Sequence, residues 1–158
     1  MATLVPQEFT AEWSGALLAL LNRRAEALLR EMEKIPGAQS AFVCDARGNA
    51  LVLWYTTPLT RETASRVGER VVNLFNAFPG KTFEEVEMRF DDRWLYARTL
   101  GNAFLVVVCT RDVNRALVRM TCNVAAVPFQ TDKELQKNLL PHTRLDVGMR
   151  FGMSGGFN

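Results

Sequence analysis

Few residues in this chain combine type and spacing in a way that chemistry needs. Gly152-Met153-Ser154-Gly155-Gly156 spells the letters of a nucleophile elbow. That turn needs a strand before it, a helix after it and a histidine later in the chain. The single histidine, His142, comes earlier. Gly80-Lys81-Thr82 has the letters that end a phosphate-binding loop, but the loop's first glycine would fall at Phe75. The tripeptide also follows a helical pattern and precedes a strand pattern, whereas the loop must aim a helix N-terminus at phosphate. One histidine and three cysteines without Cys-x-x-Cys spacing make no recognised zinc site. Cys44 and Cys109 fall on two central strands, where they could face each other as buried, inert thiols. The acidic pairs Glu84-Glu85 and Asp91-Asp92 sit at a strand start and a turn, where solvation explains them. The expectation is a protein with no catalytic residues, no metal and no cofactor.

Arginine carries more information. Arg111, Arg115 and Arg119 are spaced by four, as are Arg66 and Arg70, with Glu62 four before Arg66. Such spacing lines one helix face with charge. Glu62, Arg66, Arg70 and Asn73 therefore form a candidate partner-binding face. Lys+Arg 19 against Asp+Glu 17 leaves a net charge of only +2. That is too weak a field to draw the chain to nucleic acid or membrane, and no aromatic platform interleaves with the arginines. A negatively charged protein is the partner this face fits.

The elements that position these residues follow from periodicity. The 158 residues, 48% hydrophobic and 23% charged, suit one ordinary globular domain. Phe104–Thr110 is apolar at both parities, so it is a strand covered on both faces. Ala41–Cys44 reads the same way and makes a hairpin with Asn49–Trp54 across Asp45-Ala46-Arg47-Gly48. Phe83–Phe90 alternates, with Val86, Met88 and Phe90 against Glu85, Glu87 and Arg89, so it has one buried face and belongs at an edge. Arg93–Thr99 joins it to Phe104–Thr110 in a meander. A first helix is expected from Thr10 as cap to Lys34, with Leu17, Leu21, Ala25, Leu28, Leu29 and Met32 inward and Trp13 packed nearby. A second runs from Thr60 as cap to Phe78, stopped by Pro79-Gly80, with Ala64, Val67, Val71, Leu74, Phe75 and Phe78 buried. A third follows Asp112 through Leu117, Thr121 and Val124 to Pro128. Thr131-Asp132-Lys133-Glu134 has the capping-box pattern of a short fourth helix over Leu135 and Leu139. Residues 1–9 read as a leader. The short Ala16–Leu21 run, preceded by Glu8 and Glu12, and the unpaired cysteines point to a cytoplasmic protein without a membrane span.

This order resembles the roadblock / dynein light chain family. The likeness is carried by Glu33-Lys34-Ile35-Pro36-Gly37, by the hairpin from Ala41 to Val52 with its Asp45-x-x-Gly48 turn, by the long helix after Pro58, and by the meander and third helix, roughly Leu17–Val127. The resemblance implies a profilin-like α+β fold: a five-stranded antiparallel sheet, order 2-1-5-4-3, with one helix on one face and two on the other. Residues 10–128 would be the roadblock-like domain, 129–140 a short C-terminal helix and 141–158 a Gly-rich tail. It also implies a homodimer made by pairing the third strands edge to edge and packing the second helices together. Here that interface would use Glu85, Val86, Glu87, Met88, Arg89, Val67 and Val71. A two-fold axis centred on Glu87 or Met88 sets opposite charges across the strands, whereas one centred on Val86 sets Glu85 against Glu87. The function implied is a non-catalytic module that binds and regulates a small Ras-like GTPase, a role that some members fill as GTPase-activating proteins. A small-ligand sensor of the profilin or PAS type, or a scaffold subunit of a larger complex, is the alternative.

Overall fold

The computed structural model describes residues 1–78 and 83–139. Gly80-Lys81-Thr82, His142 and the Gly152–Gly156 pattern lie outside them. The elements are β1 (Thr3–Val5), α1 (Gly15–Arg30) with a 3-10 turn at Glu31–Lys34, β2 (Ala38–Cys44), β3 (Ala50–Tyr55), α2 (Arg61–Phe75), β4 (Glu85–Phe90), β5 (Arg93–Thr99), β6 (Phe104–Thr110), α3 (Arg115–Ala125) and α4 (Val127–Gln130). A further helix, α5, covers 133–139.

The strands form one antiparallel sheet in the order β1-β3-β2-β6-β5-β4. The two doubly apolar strands are central neighbours, with Val43 opposite Leu105. Five of the six strands stand in the expected order. The sixth, β1, corrects the reading of residues 1–9 as a leader: Leu4 pairs with Trp54 at the edge of the sheet. Arg61 fixes this segment, donating from Nη2 to the Pro6 carbonyl and from Nη1 to the Ala50 and Leu51 carbonyls.

Parity sorts the core into two layers. Leu105, Val107 and Cys109 face one layer with Trp13, Leu21, Leu28, Val118 and Phe129; Val106 and Val108 face the other with Ala64, Val71, Val72 and Phe75. So α2 covers one face alone, and α1, α3, α4 and α5 cover the other. Cys44 and Cys109 do not meet. They lie in opposite layers and at opposite ends of the β2–β6 ladder, with Cys44 paired to Phe104 and Cys109 to Ala38. Burial pushes the Cys109 and Cys122 thiols up to about 12.

Several helix caps move by one to four residues. Thr10 closes a turn by accepting from the Trp13 N–H, and α1 begins after Ser14. Asn114 rather than Asp112 caps α3, because Asp112 is occupied by the Thr110 hydroxyl. Asp132 rather than Thr131 caps α5, accepting from Leu135 N–H at 3.0 Å and from Arg24 Nε at 2.9 Å. These bonds hold its carboxyl below the usual aspartate range. Thr60 does cap α2. Phe78, expected in the core, lies past the end of α2 and is 52% exposed. The inward row of α3 is Val118 and Cys122, while Val124 is 76% exposed.

A titrating contact ties β4 to the rest. The Tyr96 hydroxyl and Arg119 Nη2 each donate to the Glu85 carboxylate at 2.7 Å. Both bonds favour the ionised form, which holds the Glu85 pKa below its ordinary 4.5. A depressed carboxylate pKa adds stability above the unfolded-state value, and that stability is lost as pH falls through the folded-state value. Glu85→Gln should therefore lower Tm at neutral pH, with the gap from the parent closing under acid. A Tm difference that stays constant from neutral pH into acid overturns this coupling.

Candidate interaction surface

The polar face of α2 is built on two glycines. Asp45 turns the β2–β3 hairpin by accepting from the N–H groups of Arg47 and Asn49, at 2.9 and 3.0 Å. The turn needs a left-handed residue at Gly48, where φ is +93°. Gly48 then lies directly beneath Gly68 of α2: a Cβ on Gly68 would overlap the Gly48 carbonyl oxygen, and one on Gly48 would overlap the backbone of Glu69. Ser65 Oγ accepts from the Ala50 N–H at 2.9 Å, pinning the same helix to β3. Ala64, Gly68, Val71, Val72 and Phe75 therefore turn inward.

That seating leaves Glu62, Arg66, Arg70 and Asn73 on the outward side of the helix, all four exposed. Glu62 and Arg66 line a shallow polar hollow of about 420 Å³ with Arg47, Asn49, Ser65 and Glu69. Arg66 Nη2 donates to Thr63 Oγ1 at 3.3 Å. Arg70 and Asn73 continue the face further along the helix. Spacing does not single out Arg47, Asn49, Ser65 and Glu69. Gly68 in the middle of a helical pattern is the available signal, because a mid-helix glycine marks close packing.

The second candidate surface is the free edge of β4, which among the described residues pairs only with β5. Val86 and Met88 are half-buried against the α2 layer, and Arg89 is exposed. Glu84 carbonyl accepts from Thr99 N–H at 3.0 Å. By antiparallel alternation, Met88 then turns its N–H toward β5, while Glu85, Glu87 and Arg89 turn theirs outward. Phe78 and Phe83 stack edge to face, centroids 5.6 Å apart, beside this edge. With Leu74, Val86 and Glu87 they line an apolar hollow of about 250 Å³. Val67 is half-buried, but Val71 is 1% exposed, sealed against the sheet by the glycine contact. Val71 therefore offers no surface to a second copy. The apolar side chains that do line the surface beside this edge are Leu74, Phe78 and Phe83.

Arg111, Arg115 and Arg119 do not form one helical row. Arg111 precedes α3 in a turn, Arg115 lies over the Trp94 ring at 5.4 Å, and Arg119 pairs with Glu85. Among the described residues no cluster of three His, Cys, Asp or Glu side chains is placed to hold a metal ion. No helix among them is long and apolar enough to cross a membrane.

With α2 on one face of the antiparallel sheet, the other helices on the opposite face and a free edge at β4, this chain has the fold of roadblock/LC7 domains. Its likeness to particular solved structures is one of fold, at low sequence identity. A roadblock/LC7 domain from Streptomyces avermitilis superposes with a TM-score of 0.54 at 17% identity, covering 78% of this chain and 98% of that one. MglB in a tetrameric arrangement gives 0.60 at 18%, covering 86% and 96%. The gliding protein MglB from Thermus thermophilus gives 0.57 at 16%, covering 86% and 96%. No protein-family model matches the sequence. No curated protein matches it either.

Proposed function

We propose that this chain is a roadblock-family interaction module that forms a homodimer through β4 and binds and regulates a small Ras-like GTPase, without an active site of its own. The observation that carries this reading is the α2 face. Four polar residues stand on the outer side of a helix whose inner side is locked to the sheet by backbone contact, so the surface is presented rigidly and little is lost in ordering it. The fold shared with MglB and with the roadblock/LC7 domain supports it, as does the tetrameric arrangement of one MglB structure. GTPase regulation is what the family resemblance in the sequence implies.

Copurification with the host's small GTPases, each loaded with GDP or a GTP analogue, tests the reading. Arg66→Glu combined with Arg70→Glu should weaken the captured complex about tenfold or more, most strongly at low salt, because surface charges set on-rate and specificity. Neither side chain belongs to the core, so circular dichroism should be unchanged. Unchanged binding at low salt would remove α2 as the docking face, and capture of no GTPase in either nucleotide state would remove the GTPase.

A further inference from the structure

The open edge of β4 turns the backbone groups of Glu85, Glu87 and Arg89 outward. Two copies paired antiparallel about a two-fold axis could centre on Val86, Glu87 or Met88, and the backbone separates these choices. Centred on Glu87, the axis sets Glu87 against Glu87 and Glu85 against Arg89, so all three outward residues find partners. Centred on Met88, it pairs Glu87 with Arg89 but leaves Glu85 opposite Asp91, whose φ of +51° ends the strand. Centred on Val86, it leaves Arg89 opposite Phe83, which precedes the strand. Charge does not reverse this order. Glu85 is already engaged by Tyr96 and Arg119, and Glu87 is exposed, where solvent screens its contact with a second Glu87.

The α2 side of the same edge carries a matching shape. Val86 and Met88 both lie on that face, and a two-fold axis perpendicular to the sheet keeps each face on its own side. The Glu87 register therefore sets Val86 directly opposite the second copy's Met88. Both residues turn their own N–H groups inward, so between copies they form a pair without hydrogen bonds, the kind in which side chains lie closest. Val86 lines the apolar hollow of about 250 Å³ together with Leu74, Phe78 and Phe83. The two rings that wall it are 52% and 37% exposed. Methionine suits such a site, because its unbranched chain adapts to an irregular gap and its sulfur packs well against aromatic rings.

We propose that the β4 edge takes a second copy in the register centred on Glu87, with each copy's Met88 seated in the other's hollow of Leu74, Phe78, Phe83 and Val86. This rests on the homodimer proposed above and names the contact that holds it. A small ligand fits the hollow poorly, because such sites are larger and carry several convergent polar groups, and Glu87 is the one polar residue in this lining. A strand from an unrelated protein could use the edge, but a second copy fills both hollows at once, since a two-fold interface repeats every contact.

Cysteine cross-linking on the full chain reads the register. Cys44, Cys109 and Cys122 are all buried and do not compete. Under mild oxidation Glu87→Cys should link to itself, because the Cα atoms of a hydrogen-bonded pair stand about 5.5 Å apart, within disulfide reach. Val86→Cys and Met88→Cys should not. Sedimentation equilibrium reads the contact. Phe78→Ala with Phe83→Ala should raise the dimer dissociation constant about tenfold, and Met88→Ala should do the same. Both remove one side of a single contact, so the three substitutions together should weaken the dimer little further. Circular dichroism checks that each variant is folded. Linking at Val86→Cys or Met88→Cys in place of Glu87→Cys overturns the register, and additive losses overturn the Met88 contact; either result leaves the dimer itself standing. A parent chain that stays monomeric at micromolar concentration overturns this contact together with the dimer on which it rests.

Discussion

Gly68→Val is expected to destabilise the chain by at least ~3 kcal/mol, the upper end of what overpacking costs. The added side chain would have to enter the space of the Gly48 carbonyl oxygen, which is backbone and cannot rotate away. Gly48 cannot retreat either, because its positive φ closes the turn that Asp45 holds. The helix must lift instead, and Ala64, Val71, Val72 and Phe75 all come up with it. Urea unfolding measures the loss. Ser65→Ala, which removes only the bond to Ala50 N–H, is the scale: about 1 kcal/mol. A Gly68→Val chain no weaker than Ser65→Ala would mean that the glycine contact does not seat α2.

Proline at two adjacent positions of β4 should give opposite results. Glu87 turns its N–H to the open edge, so Glu87→Pro leaves the β4–β5 ladder whole and removes one donor that a second copy would use. The chain should stay folded and its dimer dissociation constant should rise about tenfold or more. Met88 turns its N–H toward β5, so Met88→Pro breaks a bond within the chain. It should loosen β4 and strip Val86 and Met88 from the α2 layer. Sedimentation equilibrium reads the first effect and thermal unfolding the second. A parent chain that sediments as a monomer at micromolar concentration removes the dimer. If Glu87→Pro associates like the parent, the dimer is built elsewhere.

The order of the five long strands is legible because each declares its surroundings by parity. Phe104–Thr110 is apolar on both faces and sits in the middle, and Phe83–Phe90 alternates and sits at the edge. Hidden from the sequence are the features set by contacts distant in the chain. Thr3-Leu4-Val5 is too short to show a period, and its place depends on Arg61 reaching back to Pro6. Caps are ambiguous where two candidates stand close together, as at Asp112 and Asn114, because side-chain bonding elsewhere decides which is free. The inward face of α3 is hidden for a different reason. Leu117-Val124 and Val118-Cys122 are both apolar rows, and periodicity cannot say which one the sheet receives. The outward α2 face is legible from charge spacing, but the hairpin residues Arg47 and Asn49 join it only through tertiary packing.

The strand at Thr3–Val5 has a consequence for how large an assembly can grow. It covers the outer side of β3 and is followed at once by Pro6, which has no N–H to offer. A sheet with two long open margins could add copies at each in turn and grow into a filament. With one margin blunted, β4 is the long margin left for strand addition among the described strands. Two molecules joined there about a two-fold axis have each used that margin, so growth by strand pairing terminates at a closed pair.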